Sequence, residues 1–554
     1  TIAWSLSPYI AWRIGQPKDK RIPMLSQEQI RNIRRIARKT WKYFDVFVNN
    51  NENWLPPDNY QEDPAIGIAH RTSPTNIGLH LMSVLSARDL GYIGTLGTME
   101  RIEKTINTLK IMEKWKGHFY NWYNTISLEA MKPLYVSTVD NRNLVGYLFT
   151  LLEALDELIK RPLIGKENIL GLHDILTEDS KEGSKNHSLL DLLVHSEEVR
   201  GTEWQMLLDD LKGCTAELDS LIMEYEKEAS LLVPWLNLLQ KIPIPLLNQK
   251  GGYKEASQKL SELLKKLNSP LSIQFIYDNY LEILEGLSDT LSSLTRDARR
   301  SNGFSEARNW LKQLEISLGE SYSSIKKFYV RKQKLQRDME TLIHGMDFKL
   351  LYDEKKDLFA IGYNVEDDQL SKVYYDLLAS EARQASFIAI AKGDVPQKHW
   401  FKLGRGLSLV GDRRALISWS GTMFEYFMPL LIMKNYDNTL LNETYTAVVR
   451  SQKQYAEQHR LPWGVSESGF YAFDLHLNYQ YKAFGVPHLG LKRGLVNDRV
   501  VAPYASLLAL PVEPALVYKN LEVLKTEGLV GSYGFYEAID FTSERMPRKQ
   551  KSMI

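Results

Sequence analysis

The stretch LSQEQIRNIRRIARKTWKYFDVFVNNNENWLPPDNY, residues 25–60, contains the two kinds of element from which the fold is built. Apolar side chains recur at near-helical spacing over residues 25–50, with arginine and lysine between them, and Ser26 is a suitable N-cap. This pattern predicts a long amphipathic helix. Residues 53–60 are rich in Pro, Asn and Asp, which predicts a structured loop after the helix.

The same alternation continues along most of the chain. Further helices are predicted at residues 75–89, 98–112, 142–159, 367–392, 422–433, 441–459, 503–510 and 511–527, and strand pairs at residues 348–363 and 407–420. Long loops that contain Trp and Tyr join these helices, which is typical of antiparallel helix pairs with functional residues at one end of a scaffold. The pattern predicts an all-α fold with small β-hairpin decorations, and the helix pairs suit an α/α toroid.

Residues 163–345 differ in character, since they are rich in Leu, Glu, Lys and Ser and poor in aromatic loops. Apolar residues follow alternating steps of four and three over residues 204–225, with a gap at Thr215, and over residues 277–294 without a gap. Such seams predict long helices in a coiled-coil-like bundle. We therefore divide the chain into a first catalytic part at 1–162, an inserted helical module without catalytic residues at 163–345, and a second catalytic part at 346–554.

Composition excludes several classes of protein. Apolar residues make up 44% and charged residues 25% of the 554 residues, as in ordinary soluble proteins. The formal net charge of +1 provides no overall field that would attract nucleic acid or an anionic membrane. A single cysteine, Cys214, excludes an internal disulfide framework and a cysteine-based metal cluster within one chain.

The sequence contains no uninterrupted apolar run of about 18 residues, so we expect a soluble segment without membrane insertion. It starts at Thr1 and shows no signal-peptide pattern. We interpret it as a piece of a longer protein.

Glu381 is the first candidate for chemistry, because it lies in the middle of the apolar stripe of the helix predicted at residues 367–392. Burial would raise its pKa and make it a proton donor near neutral pH, whereas a nearby Arg383 would lower the pKa and form an ion pair. The sequence alone leaves both possibilities open.

Glu467 is the second candidate, in the loop LPWGVSESGFY at residues 461–471, where neither helix propensity nor core packing requires a carboxylate. A functional role is favoured, and a helix cap formed by Ser466 or Ser468 beside a solvated glutamate is the alternative. Glu425 would lie in the first turn of a helix, where a negative charge is favourable in any case. We interpret Glu425 as structural or substrate-orienting.

Other motifs are weaker. The histidines show no HExxH-like spacing, Gly404-Arg405-Gly406 lacks the rest of a dinucleotide fingerprint, and no Walker loop is present, so we expect neither a metal nor a cofactor. What remains is carboxylates among aromatic side chains, which make up 11% of the chain and can stack on sugar rings. This combination is typical of glycoside chemistry, in which one acid protonates the leaving oxygen and another attacks or stabilises the anomeric carbon.

Six motifs resemble the central glucoamylase-like domain of bacterial cyclic β-1,2-glucan synthases. They are NWLPPDNYQE at residues 53–62, AHRTSPTNIG at 69–78, YVSTVDN at 135–141, ASEAR at 379–383, ISWSGTMFEY at 417–426 and WGVSES at 463–468. The resemblance extends from about residue 40 to 160 and from about residue 346 to the end. The helical insertion fits the general layout of the family but carries no motif.

The resemblance implies an (α/α)6 toroid and a transglycosylase that cuts linear β-1,2-glucan and joins the new end to the non-reducing end of the same chain, closing a ring. It also implies a parent protein on the cytoplasmic side of the bacterial inner membrane. There a membrane-embedded glycosyltransferase and a phosphorylase-like domain would be covalently linked to this segment.

For the mechanism, the resemblance implies double displacement with retention of the β configuration. We expect Glu467 to be the nucleophile and Glu381 the general acid/base, with exchanged roles possible, and carboxyl groups about 5–5.5 Å apart unless a hydroxyl or water relays the proton. The residues expected to contact the substrate are Trp54, Asp58, Arg71, Trp122, Tyr123, Asp140, Arg383, Trp400, Trp419, Glu425 and Tyr471.

Three alternatives stay open. An endo-β-1,2-glucanase would differ only in letting water resolve the intermediate. A phosphorylase would need a basic phosphate pocket, which Arg71 and Arg383 alone do not establish. A non-catalytic glucan-binding module would keep the aromatic residues and tolerate the loss of both glutamates.

Overall fold

The computed structural model describes residues 2–15, 24–179, 188–196, 198–247, 251–411, 413–547 and 550–554. The α-helices are α1 Ile2–Gly15, α2 Gln27–Phe47, α3 Pro74–Asp89, α4 Thr95–Ile111, α5 Thr138–Leu158, α6 Lys166–Asp179, α7 Ser188–Val194, α8 Gly201–Leu211, α9 Ala216–Leu232, α10 Leu236–Leu239, α11 Ile244–Leu247, α12 Lys254–Leu267, α13 Ile273–Asp297, α14 Phe304–Gly345, α15 Ala382–Ala391, α16 Lys398–Lys402, α17 Met423–Phe427, α18 Leu440–His459, α19 Pro503–Leu508 and α20 Pro514–Thr526.

The strands are short. They are β1 Tyr60–Gln61, β2 Gly67–Ile68, β3 Arg71–Thr72, β4 Tyr123–Asn124, β5 Tyr135–Ser137, β6 Tyr352–Asp353, β7 Leu358–Ala360, β8 Gly362–Asn364, β9 Gln369–Leu370, β10 Tyr374–Tyr375, β11 Leu407–Val410, β12 Arg413–Leu416, β13 Ser468–Phe473, β14 Tyr479–Lys482, β15 Val500–Val501, β16 Val530–Gly531, β17 Gly534–Phe535 and β18 Ile539–Asp540. They pair in sheets of two or three strands. The predicted helical fold with small β decorations is confirmed.

Capping fixes the starts of the first long helices. At α2, Gln29 N donates to Ser26 Oγ at 3.2 Å and Ser26 N donates to the Gln29 side chain at 2.9 Å, which is a capping box. At α3, Ser73 Oγ accepts from Asn76 N at 3.2 Å, and Pro74 occupies the first turn. Both helices therefore begin within two residues of their predicted starts.

One continuous core joins the first part of the chain to residues 163–345. Helix α14 packs against α4, α5 and α9, and α3 packs against α5. The apolar side chains of this core come from both sides of the predicted boundary, with Leu81, Ile106 and Leu148 on one side and Phe328 and Leu335 on the other. The division at residue 162 therefore separates sequence patterns that share a core, and the three-part division stays a prediction.

Two carboxylates of α9 cap the start of α4. Gly94 N donates to Glu224 Oε1 at 2.8 Å, and Leu96 N donates to Glu228 Oε2 at 2.7 Å. The free N–H groups at a helix start and the helix dipole both favour a carboxylate there. Burial nonetheless raises the pKa of Glu228 to about 7. The helical module therefore contributes hydrogen bonds as well as apolar contacts to the first part of the chain.

The heptad spacing predicts that the apolar seam over residues 204–225 lies on one helix, and this prediction is wrong. The seam is divided between α8 and α9, because Gly213 adopts a φ of 79° between them and Thr215 Oγ1 accepts from Leu218 N at 3.1 Å to start α9. The seam over residues 277–294 does lie on a single helix, α13.

A second core, formed by residues between 378 and 539 together with Ile36, underlies the C-terminal part of the chain. The hairpin β11–β12 lies where the strand pair at residues 407–420 was predicted. Residues 348–351, predicted as a strand, form a 3-10 helix before β6. A small apolar contact of Val139 on α5 with Ala382 and Ala385 on α15 brings the starts of these two helices together.

Among the described helices, none combines the length and the apolar character that crossing a bilayer requires.

Candidate active site

Glu381 lies at the N-cap of α15 and not in the middle of a helix. The helix predicted at residues 367–392 is wrong over its first half, where β9 pairs with β8 and β10 pairs with β7. The three-four spacing was misleading because the backbone N–H and C=O groups of these strands form hydrogen bonds with β7 and β8, which lie outside the segment that carries the spacing. Glu381 is thus displayed at the start of a helix, next to the contact between α5 and α15.

The carboxyl group of Glu381 is enclosed by protein. Burial raises its pKa to about 7, and the negative charge of Glu425 is the second cause of the rise. Ser380 Oγ lies 3.1 Å from Glu381 Oε2 and donates to it. The ion pair with Arg383 that the sequence left open is not formed, since the Arg383 guanidinium donates to the carbonyl oxygens of Ser380 and Glu425 and to the Tyr445 hydroxyl.

Glu467 lies on the loop that leads into β13. Its backbone oxygen accepts from the Tyr504 hydroxyl at 2.6 Å, and the same hydroxyl lies 2.9 Å from Ser466 Oγ. Phe424 N in turn donates to Ser466 Oγ at 3.1 Å, which ties the loop to the first turn of α17. The Tyr481 hydroxyl is within 3.4 Å of Glu467 Oε2. The alternative of a helix cap by Ser466 or Ser468 beside a solvated Glu467 is not formed, because Thr422 is the N-cap of α17 and a strand follows Glu467. Ser466 instead holds the loop that carries Glu467.

The two glutamates share one electrostatic environment. Burial raises the pKa of Glu467 to about 8, and the next causes are the negative charges of Glu381 and then Glu425. Glu467 and Glu381 each keep part of their surface accessible while protein surrounds them, which is the situation of groups on the wall of a cleft. The charge of Glu381 thus favours the protonated form of Glu467, and the pair retains a proton near neutral pH.

Glu425 has a structural position. Its carboxylate is buried and accepts from Ser420 N at 2.9 Å, Thr422 N at 3.0 Å and Ser418 Oγ at 2.8 Å. The bond from Thr422 N, together with the bond that Glu425 N donates to Thr422 Oγ1 at 3.0 Å, forms a capping box at α17. The other two bonds hold the loop of residues 418–422. In that loop the Trp419 side chain is 60% exposed, so its indole is free to contact a ligand.

Asp140 approaches the pair from α5. Its Oδ1 accepts from the Thr75 hydroxyl at 2.6 Å. Tyr375 packs against the contact between α5 and α15. Burial raises the pKa of this tyrosine well above its usual value, and the negative charges of Glu381 and Asp140 are the next causes. Sequence reasoning missed Tyr375, since its strand had been interpreted as helix.

Asp58 and Arg71 form the next segment of the wall. The Asp58 carboxylate accepts from the Arg71 guanidinium at 2.9 and 3.1 Å and from the Asn76 amide at 3.1 Å. The guanidinium lies 5.3 Å from the centre of the Trp122 ring. These residues, three of which were predicted to contact substrate, are thus joined in one polar and aromatic surface.

Strand β14 connects this surface to Glu467. Tyr479 has its pKa raised by burial, with the charges of Glu537 and then Asp58 as further causes, and Tyr481 has its pKa raised by burial and then by Glu467. Sequence reasoning missed Tyr479, Tyr481 and Glu537. The alternation Tyr479-Gln480-Tyr481-Lys482, which places both tyrosines on one face of a strand, was the available signal.

Two predicted substrate contacts must be corrected. Tyr123 has no exposed surface, because its hydroxyl donates to the Glu113 carbonyl at 2.7 Å inside the first core. Arg383 is 1% exposed and its donors are used internally. Arg71 and Arg383 consequently do not form a phosphate pocket, since the first pairs with Asp58 and the second is buried in the second half of the chain.

The remaining predicted contacts have varied surroundings. The Trp54 ring lies 3.8 Å from Lys104 Nζ on α4, and the Trp400 ring packs on the second core. Tyr471 N donates to Asp540 Oδ2 at 3.2 Å, and its ring meets Phe473. Contact of these three residues with a substrate stays a prediction.

Comparisons with known proteins agree with the fold. A family model described as "Glycoamylase: Putative glucoamylase" matches residues 373–552. The endo-β-1,2-glucanase from Chitinophaga pinensis, in complex with sophorotriose and glucose, has a similar structure with a TM-score of 0.50 at 12% identity, over 94% of this chain and 88% of that one. The endo-β-1,2-glucanase from Talaromyces funiculosus with β-1,2-glucan gives a TM-score of 0.50 at 10% identity, over 93% of this chain and 81% of that one. The fold is therefore a glucoamylase-like helical toroid.

Sequence similarity is more specific. The chain is 36% identical over 561 residues to the cyclic β-(1,2)-glucan synthase NdvB of Rhizobium meliloti strain 1021. The match covers 100% of this chain and 18% of that protein, so the chain spans under a fifth of the length of its relative. It includes the helical module, in which sequence reasoning found no motif. The predicted resemblance is confirmed, and the fold and this similarity support a carbohydrate-active enzyme domain.

Proposed function

We propose that the chain is a transglycosylase that cyclises linear β-1,2-glucan. The observation that carries the proposal is two enclosed carboxyl groups, Glu381 at the start of α15 and Glu467 on the loop before β13, with the charge of Glu381 raising the pKa of Glu467. Retaining glycoside chemistry requires one carboxylate and one carboxylic acid at the scissile bond. Similarity to NdvB along the whole chain supports a β-1,2-linked glucan as the substrate.

The reaction proceeds by two displacements. A carboxylate oxygen of Glu467 attacks the anomeric carbon, the glycosidic bond to the next O2 breaks, and Glu381 gives its proton to the departing oxygen. The reducing-end fragment leaves. The O2 hydroxyl at the non-reducing end of the same chain then attacks the glycosyl-enzyme, its proton returns to Glu381, and Glu467 is released as carboxylate. One glycosidic bond is broken and one is formed, so the product is a ring.

The products test the proposal directly. Linear β-1,2-glucan incubated with the chain is expected to yield products that are lighter than linear oligomers of equal length by one water and lack reducing ends. Mass spectrometry combined with a reducing-end assay measures both properties. New reducing ends in proportion to bonds cut would instead make the chain an endo-β-1,2-glucanase, and unchanged glucan would make it a binding module.

The pH dependence follows from the acid pair. With pKa values raised to about 7 for Glu381 and about 8 for Glu467, the pair holds one proton between these pH values, mainly on Glu467. The form that the assigned roles require, with Glu467 ionised and Glu381 protonated, is the minor singly protonated form, and its population rises and falls with the same two pKa values of the pair. Below that window both carboxyls are protonated and no nucleophile is available; above it both are ionised and no donor is available. A bell-shaped profile of kcat/KM with its maximum between about pH 7 and pH 8 is expected. A plateau that extends to pH 5 would contradict it.

A further inference from the structure

A cavity of about 520 Å³ opens beside the acid pair without including either glutamate. It is formed by segments that are distant in sequence, namely the end of α2, the loop of residues 58–63, β13 with Tyr479, and residues 531–540. Its volume lies within the range of roughly 300 to 1,000 Å³ that is usual for small-ligand sites. We refer to it as the Tyr60–Tyr533 cavity.

Aromatic rings form a rigid wall of this cavity. Tyr60 stacks on Phe47 with ring centres 5.0 Å apart and planes inclined by 28°. Tyr533 meets Tyr60 and Tyr43 edge to face, with ring centres 5.8 and 6.2 Å apart. The Tyr60 side chain is nevertheless 39% exposed. A ring that is fixed by its neighbours and open on one side is suited to stacking against the apolar face of a sugar.

Two of the cavity's carboxylates have cationic partners, and Glu62 accepts a hydrogen bond from the Tyr536 hydroxyl at 2.7 Å. Asp58 pairs with Arg71, and Asp540 pairs with Arg545 at 2.7 Å. Burial raises the pKa of Glu537, whose carboxyl accepts from Gly469 N at 2.7 Å, and so favours its neutral form. The described lining residues include no lysine or arginine, which disfavours an anionic ligand. This chemistry is suited to an uncharged polyhydroxyl ligand.

Strand β14 connects the cavity to the acid pair. Tyr479 lines the cavity, and Tyr481, two residues further on, reaches Glu467. Residues two apart on a strand point to the same face, so a chain of sugars could pass from one tyrosine to the other. The cavity is therefore placed to receive the part of a polymer that lies beyond the scissile bond.

We infer that the Tyr60–Tyr533 cavity is a second glucan-binding site, which holds glucosyl units of the same chain whose bond is cut at the glutamates. The inference rests on the proposed function for the identity of its ligand. Its consequence is a preference for chains long enough to occupy the glutamates and the cavity at the same time.

The test measures binding without turnover. In a chain made inactive by Glu467→Gln, the added substitution Tyr60→Ala or Tyr533→Ala is expected to weaken binding of long linear β-1,2-glucan by about tenfold in isothermal titration calorimetry. Affinity for sophorotriose is expected to stay unchanged. Tyr60→Phe, which keeps the ring, should bind long glucan nearly as tightly as the parent, and Tyr436→Ala, an exposed tyrosine outside the cavity, is the matched control.

The outcomes separate the two proposals. Equal affinity for long glucan in the Glu467→Gln chain and in both alanine variants made from it would overturn the second site and leave the proposed function standing. Equal weakening for long glucan and sophorotriose would also overturn it, since the tyrosines would then belong to the site at the glutamates. If neither the Glu467→Gln chain nor the unsubstituted chain binds glucan, the proposed function itself is overturned. Melting temperatures of the variants show whether each is folded.

Discussion

Glu467→Gln and Glu381→Gln are each expected to reduce the formation of cyclic glucan by about a thousandfold or more, while the chain stays folded. Glutamine has nearly the same shape as glutamate but can neither attack an anomeric carbon nor donate an acidic proton. Neither carboxyl forms an ion pair on which the described fold depends, and the loops around them are held by Ser466, Tyr504 and Ser380. Activity on linear glucan and the melting temperature are the two measurements.

The matched control is Glu457→Gln on α18, an exposed glutamate whose one ion pair within the described part of the chain is with Lys453, one turn earlier. It should leave activity unchanged. A Glu467 or Glu381 variant that keeps activity near that of the unsubstituted chain would exclude that glutamate from the mechanism.

Azide rescue assigns the two roles. If Glu467 is the nucleophile, Glu467→Ala with azide should yield an α-glycosyl azide by one displacement. Glu381→Ala should yield the β-glycosyl azide, because azide then attacks the intermediate on Glu467. The reverse pattern of anomers would exchange the roles of the two glutamates.

Of the substitutions proposed, Arg383→Met is expected to cause the largest loss of stability. The free energy of unfolding should decrease by about 3 kcal/mol or more. The guanidinium donates to the carbonyl oxygens of Ser380, Glu425 and Tyr426 and to the Tyr445 hydroxyl, all in the interior. Methionine fills part of the volume but leaves these acceptors without a donor. Urea denaturation measures the change.

Arg414→Met, at an exposed position on β12, is the control and should change stability little. Unfolding of Arg383→Met at the same urea concentration as the unsubstituted chain would contradict the structural role we give to Arg383. It would also return this residue to the set of possible substrate contacts.

The sequence predicted the helical fold well because helix capping and apolar periodicity are local properties. Ser26 and Ser73 start their helices as predicted, since a cap depends on residues within one turn. Glu381 was identified as a site residue on a periodic stripe that does not exist as a helix. The first half of this stripe forms strands β9 and β10, because β8 and β7 pair with them. Pairing depends on a second segment of the chain, and the periodicity of a single segment carries no information about it.

The site was predicted less completely. Glu381 and Glu467 were found because a carboxylate is unusual in an apolar or glycine-rich surrounding. Tyr123 was expected in the cleft, but an aromatic residue in a loop has the same sequence signature whether its ring faces a ligand or a core. Glu537 was missed because only the folded chain brings it next to Gly469, 68 positions earlier.

The packing of α14 against α4 and α5 constrains the order in which the protein can fold during synthesis. The apolar faces of α4 and α5 are covered fully only when residues 304–345 are present. At roughly 5–20 residues per second, the ribosome needs about ten to forty seconds to produce the chain between α5 and the end of α14. For that interval the nascent α4 and α5 present an apolar surface that α14 does not yet cover.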